Sequence, residues 1–229
     1  GAAHLGVLGV QSLLAELLDS LHVAHFLQVG VIPLLDLLVL MRGTEAVEEV
    51  QEGDLALDGC QMGDRGQILS CDVHPYKVKL IESGAKRLGL TCIRTTTADA
   101  RENHAAWRQQ ADVVMADVPC SGLGIIRKKP DIRYKSPKEL AQLPLIQRAI
   151  LENAASYVRP GGTLVYSTCT VLPEENEDVT GDFLDQHPEF EPVRTVFPLP
   201  VGPCPGQVTL WPQRHGTDGF YICRMRRKD

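Results

Sequence analysis

Basic side chains are almost absent from the first sixty residues, where Arg42 stands alone against nine acidic groups and Phe26 is the only aromatic. The formal net charge of −6 is therefore no property of the whole chain, because residues 61–229 hold 22 basic and 20 acidic groups. Paired cysteines are missing too. The seven (Cys60, Cys71, Cys92, Cys120, Cys169, Cys204 and Cys223) are odd in number and none forms Cys-x-x-Cys. That excludes the usual signature of a zinc site and a dense disulfide framework, so no metal is expected and free thiols in a reducing cytoplasm are. Glu16, Asp19 and Asp36 cut the apolar N-terminal run, so no membrane span is expected. Nor does a basic n-region open the chain, which argues against a secretory signal.

What is present suits a globular domain with its own core: 229 residues, 44% hydrophobic and 23% charged. Residues 1–60 read as an atypical Leu-rich acidic segment and residues 61–229 as a separate catalytic domain. Within the first part, SLLAELLDSLHVAHFL has the spacing of an amphipathic helix, and PLLDLLVLM fits either a strand or a short buried helix. From Gly66 the pattern becomes regular. GQILSCD, CIRTTTAD, ADVVMADV, TLVYSTC and FYICRM read as strands. Val78, Ile81, Ala85 and Leu88 recur at helical spacing and stop at Gly89. Ser136, Pro137 and Glu139 announce a further helix as N-cap, first-turn proline and capping-box acid. Pro144 is expected to interrupt that helix before LIQRAILENAASYV, Gly161 and Gly162 to turn the chain, and PEENEDVTGDFLDQH to form the next helix. Alternating strands and helices indicate an α/β fold with a mostly parallel sheet.

Open α/β sheets bind ligands beyond the carboxyl ends of their strands. Asp72, Asp99, Asp117 with Cys120, and Cys169 all fall at such ends. Any one alone is weak, since a strand-end Asp often caps the next helix and a lone Cys is more often inert packing. Four on one edge suggest a reactive rim. Just past Asp117 and Cys120, six basic residues (Arg127, Lys128, Lys129, Arg133, Lys135 and Lys138) face one acid, Asp131, within twelve positions. An isolated basic run is usually a solvated face; beside a reactive rim it points to a polyanion, because phosphate contacts dominate nucleic-acid affinity. Two thiols meeting at neighbouring strand ends suit covalent catalysis on an electron-poor ring such as cytosine. The attacking group must be a thiolate, so nearby cations such as the basic loop should lower its pKa. Asp117 would hold the pyrimidine edge. Spacing alone does not rank the two cysteines.

The blocks DVPCSGLGIIRKKPDIRY, LVYSTCTVLPEENE and HGTDGFYICRMRR resemble three signature blocks of the Sun/Fmu-type RNA 5-methylcytosine methyltransferases, in order and spacing, from about Met62 to the C-terminus. The resemblance implies a Rossmann-type fold using S-adenosyl-L-methionine and an RNA partner, ribosomal RNA in the bacterial members, with a monomer expected. It implies Cys169 as the nucleophile and Cys120 in release of the product. Asp72 would hold the cofactor ribose, Asp99 would lie near the adenine, and Asp117 would border both methionine moiety and base. Arg127, Lys128, Lys129, Arg133 and Lys135 would meet RNA.

One part of the pattern fails. The family's first strand carries a loop of the form Asp-x-Cys-x-x-Pro-Gly-Gly-Lys, whose backbone amides approach the methionine end of the cofactor. Here the corresponding residues are GDLALDGCQMGDRG, so the first strand and Gly-rich loop are missing or replaced. Poor cofactor affinity and a non-native origin for residues 1–60 are the expectations, and the family's N-terminal RNA-binding domain is not found. Alternatives left open are a non-catalytic RNA-binding remnant and a DNA cytosine methyltransferase, the latter opposed by the Thr-Cys block.

Overall fold

A computed structural model of the protein describes residues 66–197 and 201–229, together with the backbone of residues 37–42. The amphipathic helix expected over residues 12–27, and the divergent Asp58, Gly59 and Cys60, lie outside the described residues. The elements in chain order are β1 (Leu37–Arg42), β2 (Gln67–Asp72), α1 (Pro75–Leu88), β3 (Ile93–Thr97), β4 (Ala111–Asp117), α2 (Pro137–Leu140), α3 (Leu143–Tyr157), β5 (Val158–Thr168), α4 (Glu177–Gln186), β6 (Phe190–Pro192), β7 (Thr195–Val196), β8 (Pro203–Cys204), β9 (Gln207–Leu210), α5 (Pro212–His215) and β10 (Phe220–Arg227).

The main sheet runs in the order β3-β2-β1-β4-β5-β10-β6, with β9 also paired to β10, while β7 and β8 form a separate ribbon. β2–β3 and β4–β5 are parallel ladders. β1 is antiparallel to both β2 and β4, and β10 to β5, β6 and β9. Hence β2, β3, β4, β5, β6 and β9 share one direction, and β1 and β10 oppose it. The expected α/β fold with its mostly co-directional strands is present.

The ambiguous apolar run is thus a strand, and it takes the centre of the sheet in reverse. Leu37 pairs with Asp117 and Arg42 with Gln67. The first residue of β1 therefore lies beside the rim that bears Asp117, and its last residue lies at the opposite edge.

Alternation along the central strands sorts side chains to two faces, as a period of two requires. Val113, Met115, Val165, Phe220 and Ile222 pack on one face with Ile81 of α1. Val114, Ala116, Leu164, Tyr166, Tyr221 and Cys223 pack on the other with Leu151 and Ala154 of α3 and Val179 and Phe183 of α4. Burial on both faces is why ADVVMADV is almost continuously apolar.

Local signals act as expected in α1, which starts at Pro75 and ends on Gly89 in the left-handed region (φ 71°). Three boundaries differ. Ser136 precedes α2 without a side-chain cap, whereas the expected interruption does fall between α2 and α3, with Pro144 in the first turn of α3. Gly161 and Gly162 lie inside β5, whose pairing with β4 shifts register between Ala111 and Val113, so they bend a strand that already began at Val158. β3 stops at Thr97, leaving Asp99 in the loop beyond it.

Candidate active site

The two thiols meet. Cys120 follows β4 and Cys169 follows β5, and because these strands are parallel neighbours their trailing loops share one rim. Cys120 Sγ lies 3.0 Å from Cys169 Sγ, and the Cys169 amide also points at Cys120 Sγ, at 3.3 Å. Both sulfurs line a cavity of about 400 Å³ with Asp117, Pro119, Lys129, Asp131 and Lys135. A second cavity, about 200 Å³, is lined by Asp99, Arg101, Asp117, Pro119, Ile146 and Ile150. Asp117 borders both hollows, and Ser167 Oγ donates to its Oδ1 at 3.0 Å.

The sulfurs do not share their environment equally. The Cys120 thiol is pushed well above its usual range by its hydrogen bond with Cys169, by burial, and by the negative charges of Cys169 and Asp117. The shift favours the protonated form of Cys120, and the 3.0 Å contact allows either sulfur to donate. Lys135 Nζ donates to the carbonyls of Ser121 at 2.8 Å and Cys120 at 3.4 Å, so its charge is engaged with backbone. Burial pushes Cys71 and Cys223 up to about 12, which removes both as nucleophiles.

Asp72, at the end of β2, is buried. Its Oδ1 accepts from the His74 amide at 2.7 Å, and Oδ2 lies 3.6 Å from Lys77 Nζ. Yet Oδ2 has no hydrogen-bond partner among the described residues. A buried carboxylate oxygen left without a donor is costly, and a ribose hydroxyl is the kind of donor it lacks. Asp99 is held by Arg101, whose backbone amide and Nε both reach its Oδ1 at 2.9 Å. That guanidinium draws the carboxyl below its usual range despite partial burial. The loop carrying Asp99 is tied to α3 by Asn153 Nδ2, which donates to the carbonyls of Ala100 (2.7 Å) and Glu102 (2.6 Å). These acidic side chains thus suit the adenosine half of S-adenosylmethionine, whereas the segment corresponding to the Gly-rich loop lies outside the described residues.

The basic run divides. Arg127 (3.3 Å) and Lys128 both pair with Asp218, whose side chain is nearly buried, so they also anchor the loop before β10. Lys129 and Lys135 line the larger cavity. Arg133 lies over the Tyr134 ring at 5.0 Å from its centroid, and that ring is 77% exposed. Tyr134 escaped the sequence reading because nothing in the spacing separates an exposed tyrosine from a buried one.

Three loops distant in sequence close on one another behind the sulfurs. The Gly124 amide donates to the Cys169 carbonyl at 3.0 Å, and the Gly219 amide to the Gly124 carbonyl at 2.8 Å. A Cβ on Gly124 would lie 2.0 Å from Gly219 O and 2.8 Å from Cys169 O. Gly124→Ala is therefore expected to cost about 1–3 kcal/mol or more through overpacking, read as a lowered urea midpoint.

A seven-strand path with reversed strands at its centre and next to its end, helices on both faces and acidic groups near successive strand ends define a Rossmann-type fold of the methyltransferase kind. The model of the family described as 16S rRNA methyltransferase RsmB/F matches residues 57–226, and the chain belongs to that family. It is 45% identical over 174 residues to a probable ribosomal RNA small subunit methyltransferase B of Bacillus subtilis, covering 73% of this chain and 39% of that protein. It is 36% identical, again over 174 residues, to ribosomal RNA small subunit methyltransferase F of Salmonella paratyphi A, covering 73% and 36%. Among solved structures, NSun6 from Pyrococcus horikoshii with SFG matches at TM-score 0.60 and 27% identity, covering 73% of this chain and 43% of that one. The chain thus spans well under half the length of these relatives.

Proposed function

We propose that this chain carries the catalytic domain of an S-adenosylmethionine-dependent enzyme that methylates carbon 5 of cytosine in ribosomal RNA. The observation that carries the reading is the 3.0 Å meeting of Cys120 and Cys169 at a cavity bordered by Asp117. Support comes from relatives named as small-subunit ribosomal RNA methyltransferases and from a structural neighbour solved with SFG, an S-adenosylmethionine analogue.

Bound S-adenosylmethionine supplies the methyl group, and Asp72, Asp99 and Asp117 are the residues that would hold it. An extruded cytosine enters the larger cavity. The Cys169 thiolate adds to carbon 6, which makes carbon 5 electron-rich, while Asp117 accepts a hydrogen bond from the pyrimidine edge. After carbon 5 is methylated, solvent water takes its proton, and the electrons of that C–H bond re-form the ring double bond as the Cys169 sulfur leaves with the electrons of the carbon 6 bond. The Cys120 thiol, donating to the departing sulfur, stabilises it as a thiolate. Lys129 and Lys135, which line the cavity, and the exposed Arg133–Tyr134 pair meet the strand. A base stacked on an aromatic ring contributes about 1–3 kcal/mol, so Tyr134→Ala is expected to weaken single-stranded RNA binding about tenfold in a filter-binding assay.

The test is methyl transfer from labelled cofactor to a small-subunit ribosomal RNA fragment and to duplex DNA, with calorimetric titration of the cofactor alongside. Transfer to RNA only is the expected result; transfer to DNA, or RNA binding without cofactor binding, would overturn it. Because Pro-Gly-Gly-Lys is lacking, a variant with the Asp-x-Cys-x-x-Pro-Gly-Gly-Lys loop restored is expected to bind cofactor tenfold or more tightly than this chain. Each hydrogen bond to a charged group contributes about 1.5–3 kcal/mol.

A further inference from the structure

Glu175 and Asn176 lie in the turn before α4, outside both cavities, and both are buried, at 2% and 0% exposure. Each grips a different cysteine loop. Glu175 Oε2 accepts from the Ser121 amide at 2.9 Å, next to Cys120, and from Gln147 Nε2 at 2.8 Å. The same Gln147 nitrogen donates to the Pro119 carbonyl at 2.8 Å, on the other side of Cys120. Asn176 Oδ1 accepts from Thr168 Oγ1 at 2.6 Å, and its Nδ2 donates to the Thr170 carbonyl at 3.1 Å, so it flanks Cys169. A last bond joins the two loops directly, Ser121 Oγ to Thr170 Oγ1 at 2.7 Å.

We infer that Glu175 and Asn176 form a positioning clamp that sets the distance and orientation between the Cys120 and Cys169 sulfurs. Neither residue reaches a cavity, and neither is needed to build the sheet, whose strands are already paired. What the two share is that each bonds to residues flanking one of the thiols. A buried carboxylate is a costly way to fill a turn. Its cost is offset here because a single oxygen serves two donors that fix the Cys120 loop from both sides. Gln147, from α3, joins the same grip, so the clamp ties the rim to the helical layer.

This inference deepens the proposed function, but its test does not depend on methylation. Phenylarsine oxide bridges two thiols held close together and reacts poorly with single ones, so its capture rate by the Cys120–Cys169 pair reads the clamp directly. Glu175→Ala leaves the Ser121 amide without its acceptor and Gln147 Nε2 with only the Pro119 carbonyl, and is expected to slow capture at least tenfold. Glu175→Gln keeps an acceptor oxygen and is expected to stay within threefold of the parent. Val179→Ala in α4, buried on the sheet's far face away from the thiols, controls for lost stability and is expected to lower the melting temperature without slowing capture. Asn176→Ala, which frees the other loop, should behave like Glu175→Ala. Capture by folded Glu175→Ala and Asn176→Ala at the parent's rate would overturn the clamp, as would equal slowing by Val179→Ala. Normal clamp behaviour without methyl transfer would leave the clamp standing and fault the proposed reaction instead.

Discussion

Replacing Cys169 by alanine is expected to lower methyl transfer to RNA by about 10³-fold or more, the scale seen when a covalent nucleophile is removed. Carbon 5 of cytosine is a poor nucleophile until carbon 6 carries a thiolate, and no other thiol at the rim can substitute. Cys120 holds its proton, because its bond to Cys169, its burial and the neighbouring Asp117 all oppose ionisation. Cys71 and Cys223 are buried away from the cavity and pushed up to about 12. Cofactor affinity should not change, since Cys169 does not line the smaller hollow that Asp99 and Asp117 share. A filter assay with labelled cofactor and calorimetry on the same variant measure the two quantities. Turnover within tenfold of the parent would reject Cys169 as the attacking group.

Cys120→Ala is expected to give the opposite phenotype. Attack by Cys169 remains possible, but the departing sulfur loses the thiol that lies 3.0 Å away. Release then slows more than addition, and a covalent protein–RNA adduct accumulates. Denaturing gel electrophoresis after incubation with RNA and cofactor should show a slowly migrating band, absent from the parent and from the double variant lacking both thiols. The pH dependence follows from the direction of the shift. A raised thiol pKa means that Cys120 remains a proton donor at neutral and mildly alkaline pH, so release should fail only as the solution becomes strongly basic. An adduct that forms equally in parent and variant would remove Cys120 from the release step.

Much of the site was legible because it lies on regular elements. Apolar runs punctuated by Asp72 and Asp117 mark strands buried on both faces, and the residues just past their ends inherit the rim by the geometry of any open α/β sheet. Gly89 stops α1 because only a left-handed residue closes that helix so readily. The basic run was also visible, though not its division. That Arg127 and Lys128 pair with Asp218, ninety or so positions later, while Lys135 serves backbone carbonyls, is a matter of which distant loop packs alongside.

The linear chain determined, by itself, five of the strands and the helices between them, the acids and thiols at or just past strand ends, and membership of a methyltransferase family, because periodicity and contiguous blocks are local properties. Only the tertiary structure decided that LLVLMR enters the sheet centre backwards, that Cys120 is the thiol held protonated, and that Glu175 and Asn176 each grasp one sulfur-bearing loop. Strand direction, proton affinity and buried hydrogen bonds depend on neighbours brought together across tens of residues, and no local spacing encodes them.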